Sequence, residues 1–176
     1  MNVYLMRHAH AVEKDEWSRP DAERPLTDKG RHAAAEAARG LARLPDPVTR
    51  SISSPYARAR ETAEIVAARL EVPLALNSAL AEERTPLNYF LAALREEEYA
   101  PNLLFVGHQP MLGQILAQLQ GDCDGMVDLK KAGAAFVALP GIPDDVDAAS
   151  DLPFARLVES ASIIWLRTWR ELAALT

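Results

Sequence analysis

Short apolar runs alternate along this chain with stretches in which apolar residues recur every three or four positions. That alternation predicts strands interleaved with helices rather than segregated halves. The strand candidates are Asn2–Met6, Val48–Ser53, Asn102–Val106, Ala134–Leu139 and a late segment at Ser162–Leu166. The alanine-rich stretch Lys29–Leu44 reads as the first helix, with Leu41 and Leu44 closing its apolar face and Thr27 or Asp28 as its cap. Pro55 suits a first helical position and predicts a second helix from there to about Leu70. By the same signature a third starts at Thr85-Pro86, carrying Leu87, Phe90, Leu91 and Leu94 on one face. A fourth follows Gln109-Pro110, and Trp169–Leu175 predicts a short terminal helix. Glu13–Pro25 and Pro140–Pro153, charged and proline-containing, read as loops, the acidic run Asp144-Asp145-Val146-Asp147 being a solvated part of the second.

Composition narrows what such a chain can do. Its 176 residues, 49% of them hydrophobic, predict one domain over residues 1–176 with a sizeable core. A net charge of −6 leaves no basic surplus to displace counterions, which argues against nonspecific nucleic-acid binding. Any anion site must therefore be built locally from a few arginines and backbone N–H groups. Cys123 is the single cysteine, so neither an internal disulfide nor a thiolate metal cluster can form. The N-terminus does not have the pattern of a signal peptide, and no apolar stretch nears the ~20 residues of a spanning helix. The expectation is a cytoplasmic protein without a membrane partner.

Three apolar strands end in polar, reactive groups: Arg7-His8 after the first, Ser53-Ser54-Pro55-Tyr56-Ala57-Arg58 after the second, and Gly107-His108-Gln109-Pro110 after the third. In a parallel sheet such strand ends share one edge, where ligands of open α/β sheets bind. Two histidines and two arginines would then converge. That set suits phosphoryl transfer, in which catalysis is mostly positioning and electrostatic clamping. Arginine forks match phosphate oxygens, and a neutral imidazole can accept the phosphoryl group covalently. Each residue alone has a plainer reading, as a structural hydrogen-bonder or surface ion-pair partner. His10 and His32 stay in that class, and His8-x-His10 as a metal site lacks completing ligands.

The residues also resemble a known family, the histidine phosphatase superfamily, and more closely its small phosphohistidine phosphatase (SixA-type) branch. The resemblance rests on Leu5-Met6-Arg7-His8-Ala9, Arg24-Pro25-Leu26-Thr27-x-x-Gly30, Ser54-Pro55-x-x-Arg58-Ala59-x-x-Thr62 and Val106-Gly107-His108-Gln109-Pro110. These run in the family's order from the N-terminus to about residue 120. Ala9 stands where most of the superfamily has glycine, as is common in the small branch. The resemblance implies a three-layer α/β/α sandwich with a mostly parallel central sheet and no metal or organic cofactor. It implies His8 as the phosphoryl-accepting nucleophile, Arg7 and Arg58 as ligands of the phosphate oxygens, and His108 as the second histidine of the pocket. Leu80-Ala81-Glu82 fits the family's general-acid context, although the glycine- and tryptophan-containing segment that usually follows is missing and Glu83 is adjacent. An ester leaving group needs a positioned acid more than a protonatable imidazole does. The expected partner is accordingly a phosphohistidine on a signalling protein such as a histidine phosphotransfer domain. A small phosphomonoester is the alternative substrate, and a non-catalytic phosphate-binding module the reading from another class.

Overall fold

The structure, a computed structural model, describes residues 2–81, 101–122, 124–139 and 161–175. Glu82, Glu83, Cys123, the helix expected from Thr85-Pro86 and the Pro140–Pro153 loop lie outside the described residues. Six strands form one sheet in the order β3-β2-β4-β1-β5-β6. They are β1 (Asn2–Arg7), β2 (Arg50–Ser53), β3 (Leu74–Leu76), β4 (Asn102–Gly107), β5 (Ala134–Ala138) and β6 (Ser162–Arg167). β1, β2, β3 and β4 pair in parallel, while β5 runs antiparallel to both β1 and β6. The sheet is therefore mixed and mostly parallel, as expected.

Strand alternation sorts the core into two layers. Val3, Leu5, Leu103 and Phe105 face one side, where they meet α3 (Met111–Gln118) through Met111, Leu112, Ile115 and Leu116. Tyr4, Met6, Leu104 and Val106 face the other, against α1 (Asp28–Leu41), α2 (Ala57–Leu70) and α4 (Trp169–Ala173). Helices on both faces of the sheet make the three-layer α/β/α sandwich. On α1, Ala33, Ala34, Ala37 and Ala38 are fully buried, so the small side chains bring neighbouring elements close. Gly40 shows how close: a Cβ there would lie 2.1 Å from the carbonyl oxygen of Leu172 on α4.

Local chemistry moves some boundaries. Thr27 caps α1, its side chain accepting from the Gly30 N–H at 3.1 Å. Pro55 does not open α2. The Ser54 hydroxyl accepts the Tyr56 N–H at 3.3 Å, a local turn that holds Tyr56 extended as the N-cap and starts the helix at Ala57. α3 follows Gln109-Pro110 as expected, with Pro110 as its N-cap. α1 ends at Leu41 and α4 at Ala173, a turn or less short of the expected ends. β3 was not anticipated, since three half-exposed residues carry too little periodicity to read.

Candidate active site

Register places the reactive residues together. Arg7 pairs with Gly107 across β1 and β4, and Ser53 pairs with Val106 across β2 and β4. The residues that follow each strand, His8, Ser54 and His108, therefore leave the sheet side by side at one edge. The ring centroids of His8 and His108 lie 5.2 Å apart. α2 begins just after Ser54 and carries Arg58 to the same place.

His8 is buried and backbone-anchored. Its N–H donates to Gly107 O at 3.0 Å and its carbonyl accepts from Ala132 N at 3.2 Å. The next N–H, that of Ala9, donates to the Thr62 hydroxyl at 3.0 Å. The ring Nδ1 sits 2.7 Å from the Ala9 carbonyl oxygen. A carbonyl can only accept, so Nδ1 carries the ring proton and Nε2 keeps its lone pair. Burial, aided by the neighbouring His108, Arg58 and Arg7 and opposed by the Ala9 bond, pushes the His8 pKa down to about 3. The imidazole is neutral at physiological pH and free to act as a nucleophile.

His108 is held from two sides. Its Nε2 lies 2.8 Å from the Ser54 hydroxyl, and the Tyr56 ring meets it edge-on at 5.3 Å. Burial, with help from the charge of Arg58, pushes its pKa down to about 3 as well.

The arginines supply the positive field. Arg58 is only 7% exposed, yet its Nη1 donates to both the Asp21 backbone oxygen at 2.9 Å and the Asp21 carboxylate at 3.0 Å. Arg24 joins them through Nε to the Asp21 carboxylate at 2.8 Å and Nη1 to Val12 O at 2.6 Å. Burial raises the Asp21 pKa, but the Arg24 hydrogen bond and the two guanidinium charges outweigh it and bring the carboxyl below its ordinary range. Arg58 also stacks over Tyr56, its guanidinium carbon 5.1 Å from the ring centroid. Arg7 is positioned by an Nη1 bond to Leu129 O at 3.0 Å. Nε of Arg7 and of Arg58 are buried and have no protein partner among the described residues. Orphaned donors in a cationic pocket are what an anion would satisfy.

Four of the five residues singled out from sequence, Arg7, His8, Arg58 and His108, are thus brought together, and Glu82 lies outside the described residues. His10 is not part of this cluster: it lines a neighbouring cleft with Lys29 and Lys131. His32 is exposed on α1, as expected. Among the described residues no three His, Cys, Asp or Glu side chains gather as a metal site would require. Sequence reasoning missed Asp21, Ser54, Tyr56 and Thr62 as supports of the site. Ser54 and Thr62 belong to the Ser54-Pro55-x-x-Arg58-Ala59-x-x-Thr62 motif, whereas Asp21 sits in a charged loop without a motif.

Residues 3–85 match the model of the histidine phosphatase superfamily (branch 1). An uncharacterised protein of Picosynechococcus sp. is 37% identical over 136 residues, covering 76% of this chain and 82% of the relative. The phosphohistidine phosphatase SixA of Escherichia coli K12 is 30% identical over 125 residues, covering 68% of this chain and 74% of that protein. In three dimensions the fold matches a SixA structure complexed with tungstate at a TM-score of 0.77, with 22% identity and coverage of 98% and 99%. The chain is a phosphatase of the histidine phosphatase superfamily and belongs to its SixA-type branch.

Proposed function

We propose that this protein is a metal-independent phosphatase that works through a phospho-His8 intermediate and removes the phosphoryl group from phosphohistidine on a signalling protein. The observation that carries the mechanism is the Nδ1 bond to Ala9 O, which fixes the tautomer and leaves Nε2 of a buried, neutral ring as the attacking atom. In the first step Nε2 attacks phosphorus in line while the bond from phosphorus to the leaving nitrogen breaks, and the departing imidazole leaves protonated. Arg7 and Arg58 take the charge spread over the phosphoryl oxygens, and His108 contributes an imidazole N–H from across the pocket. In the second step water attacks phospho-His8, its proton goes to the medium or to the released phosphate, and Nε2 regains its lone pair.

The substrate assignment rests on leaving-group chemistry together with the branch. A phosphorus–nitrogen bond to a protonated imidazole breaks without a strong acid. An alkoxide leaving group gains about 10²–10⁴-fold from one. Such a substrate is met in the cytoplasm, the location expected from the sequence. Incubation with phosphorylated histidine phosphotransfer domain should label wild type on a base-stable, acid-labile phosphohistidine and leave His8→Ala unlabelled. In a substrate panel, the phosphoprotein should be turned over with a higher kcat/KM than sugar phosphates, and Glu82→Ala should slow the esters more than the phosphoprotein. Equal or better turnover of phosphomonoesters overturns the substrate; absence of any phosphoenzyme and of phosphate release would leave only a binding module.

A further inference from the structure

Arg7 also lines a cleft of about 470 Å³ to which Arg58 and His108 do not contribute. Five of its lining residues are cationic: Arg7, Lys29 at the start of α1, Lys130 and Lys131 in the loop before β5, and Arg170 on α4. Asp128 is the single carboxylate among them. In a chain of net charge −6 this is a marked local reversal of sign. The mechanism uses Arg7 alone of these groups.

The arrangement differs from a phosphate cradle. The cations come from four separate elements, so they do not form one converging fork, and the volume exceeds what one phosphate fills. Most stand on long stems; the Lys130 side chain is 64% exposed. The chain's own carboxylates already sit on two of them, Asp128 on Lys130 and Glu13 on Lys131 at 3.8 Å. These are intramolecular stand-ins for dispersed, solvent-exchangeable carboxylates. Arg7 lines the cleft and directly precedes His8 at the end of β1, so the cleft adjoins the phosphoryl pocket through that residue.

We propose that this cleft docks an acidic segment of the phosphorylated protein, its carboxylates replacing Asp128 and Glu13 on the lysines while the phosphohistidine enters beside His8. The inference rests on the protein-phosphohistidine reading and adds how the partner is selected. Charge complementarity of this kind acts mainly on encounter and on salt dependence, leaving the chemical step alone.

The test compares wild type with the double variant Lys29→Glu/Lys131→Glu and with Arg170→Glu. Two substrates are used: a phosphorylated histidine phosphotransfer domain with an acidic face around its histidine, and p-nitrophenyl phosphate. The double variant should raise KM for the phosphoprotein about tenfold with kcat unchanged, and its kcat/KM should lose most of its dependence on salt. Unchanged turnover of p-nitrophenyl phosphate by both variants shows that fold and chemistry are intact. An unchanged KM for the phosphoprotein, or an equal loss on both substrates, overturns the docking cleft. Wild type that hydrolyses p-nitrophenyl phosphate but not the phosphoprotein overturns the substrate reading instead, and the cleft with it.

Discussion

The neutral state of His8 can be read from stability as well as from activity. An unfolded histidine titrates near 6.5, whereas His8 in the fold titrates at about 3. As pH falls, the unfolded chain therefore takes up a proton that the folded chain refuses. The contribution of His8 to stability is undiminished above pH 6.5, declines steadily below it, and levels off near pH 3. At pH 5 the unfolded side chain is about 1.5 pH units below its titration point, worth about 2 kcal/mol of stability lost. His8→Asn isolates this effect, since the amide nitrogen can donate to Ala9 O much as Nδ1 does but cannot titrate. Urea unfolding at pH 7 and pH 5 should show wild type losing about 2 kcal/mol more than the variant between the two conditions. Depressed carboxylates such as Asp21 release their stabilisation at lower pH and cancel in the comparison. If both proteins lost the same stability, His8 would be protonating normally in the folded state, and its role as a neutral nucleophile would fail.

Three further outcomes follow from the geometry. Arg58→Ala should cut kcat/KM by about 10²–10³, the scale of losing one preorganised transition-state donor, and near-normal steady-state kinetics would remove Arg58 from the clamp. Gly40→Ala should destabilise the protein by about 2 kcal/mol in thermal or urea unfolding, because its Cβ would meet the Leu172 backbone at 2.1 Å and lift α4 off α1; a stabilised variant would mean helix propensity outweighs that contact. Prolonged treatment with a chelator should leave phosphatase activity unchanged, since the proposed mechanism draws its positive charge from Arg7 and Arg58 and its nucleophile from a neutral imidazole, and activity restored only by an added divalent ion would return His8 and His10 to consideration as ligands.

The central strands and most of the pocket were legible because their signals are local. β1 and β4 are continuous apolar runs, buried along nearly their whole length, and each is followed at once by a histidine of the candidate site, His8 or His108. A shared edge then follows from parallel pairing alone. The supports of the site were harder to read, since they act across the fold. Asp21 reaches Arg58 from 37 positions away and Thr62 reaches Ala9 from 53. Nothing in Asp21-Ala22-Glu23 distinguishes a carboxylate that fixes an arginine from one that is merely solvated. The start of α2 was misplaced for a related reason. Proline statistics favour Pro55 as a first helical residue, but the Ser54 side chain, which also holds His108, imposes a turn there first.

That double use of Ser54 points to how the pocket is kept ready. An imidazole at the end of a free strand would sample several rotamers, and each would have to be excluded again when substrate binds. Here the peptide groups on both sides of His8 are already bonded, to Gly107, Ala132 and Thr62, and the ring is tied to its own following carbonyl. Across the pocket, Ser54 and Tyr56 hold His108, while Tyr56 and Asp21 hold Arg58. The residues that open α2 therefore set both a histidine and an arginine, so substitutions in Ser54-Pro55-Tyr56 should disturb two of the proposed phosphate ligands at once. Their kinetic effects should be strongly non-additive with His108→Ala, because once the ring is gone its supports have little left to position.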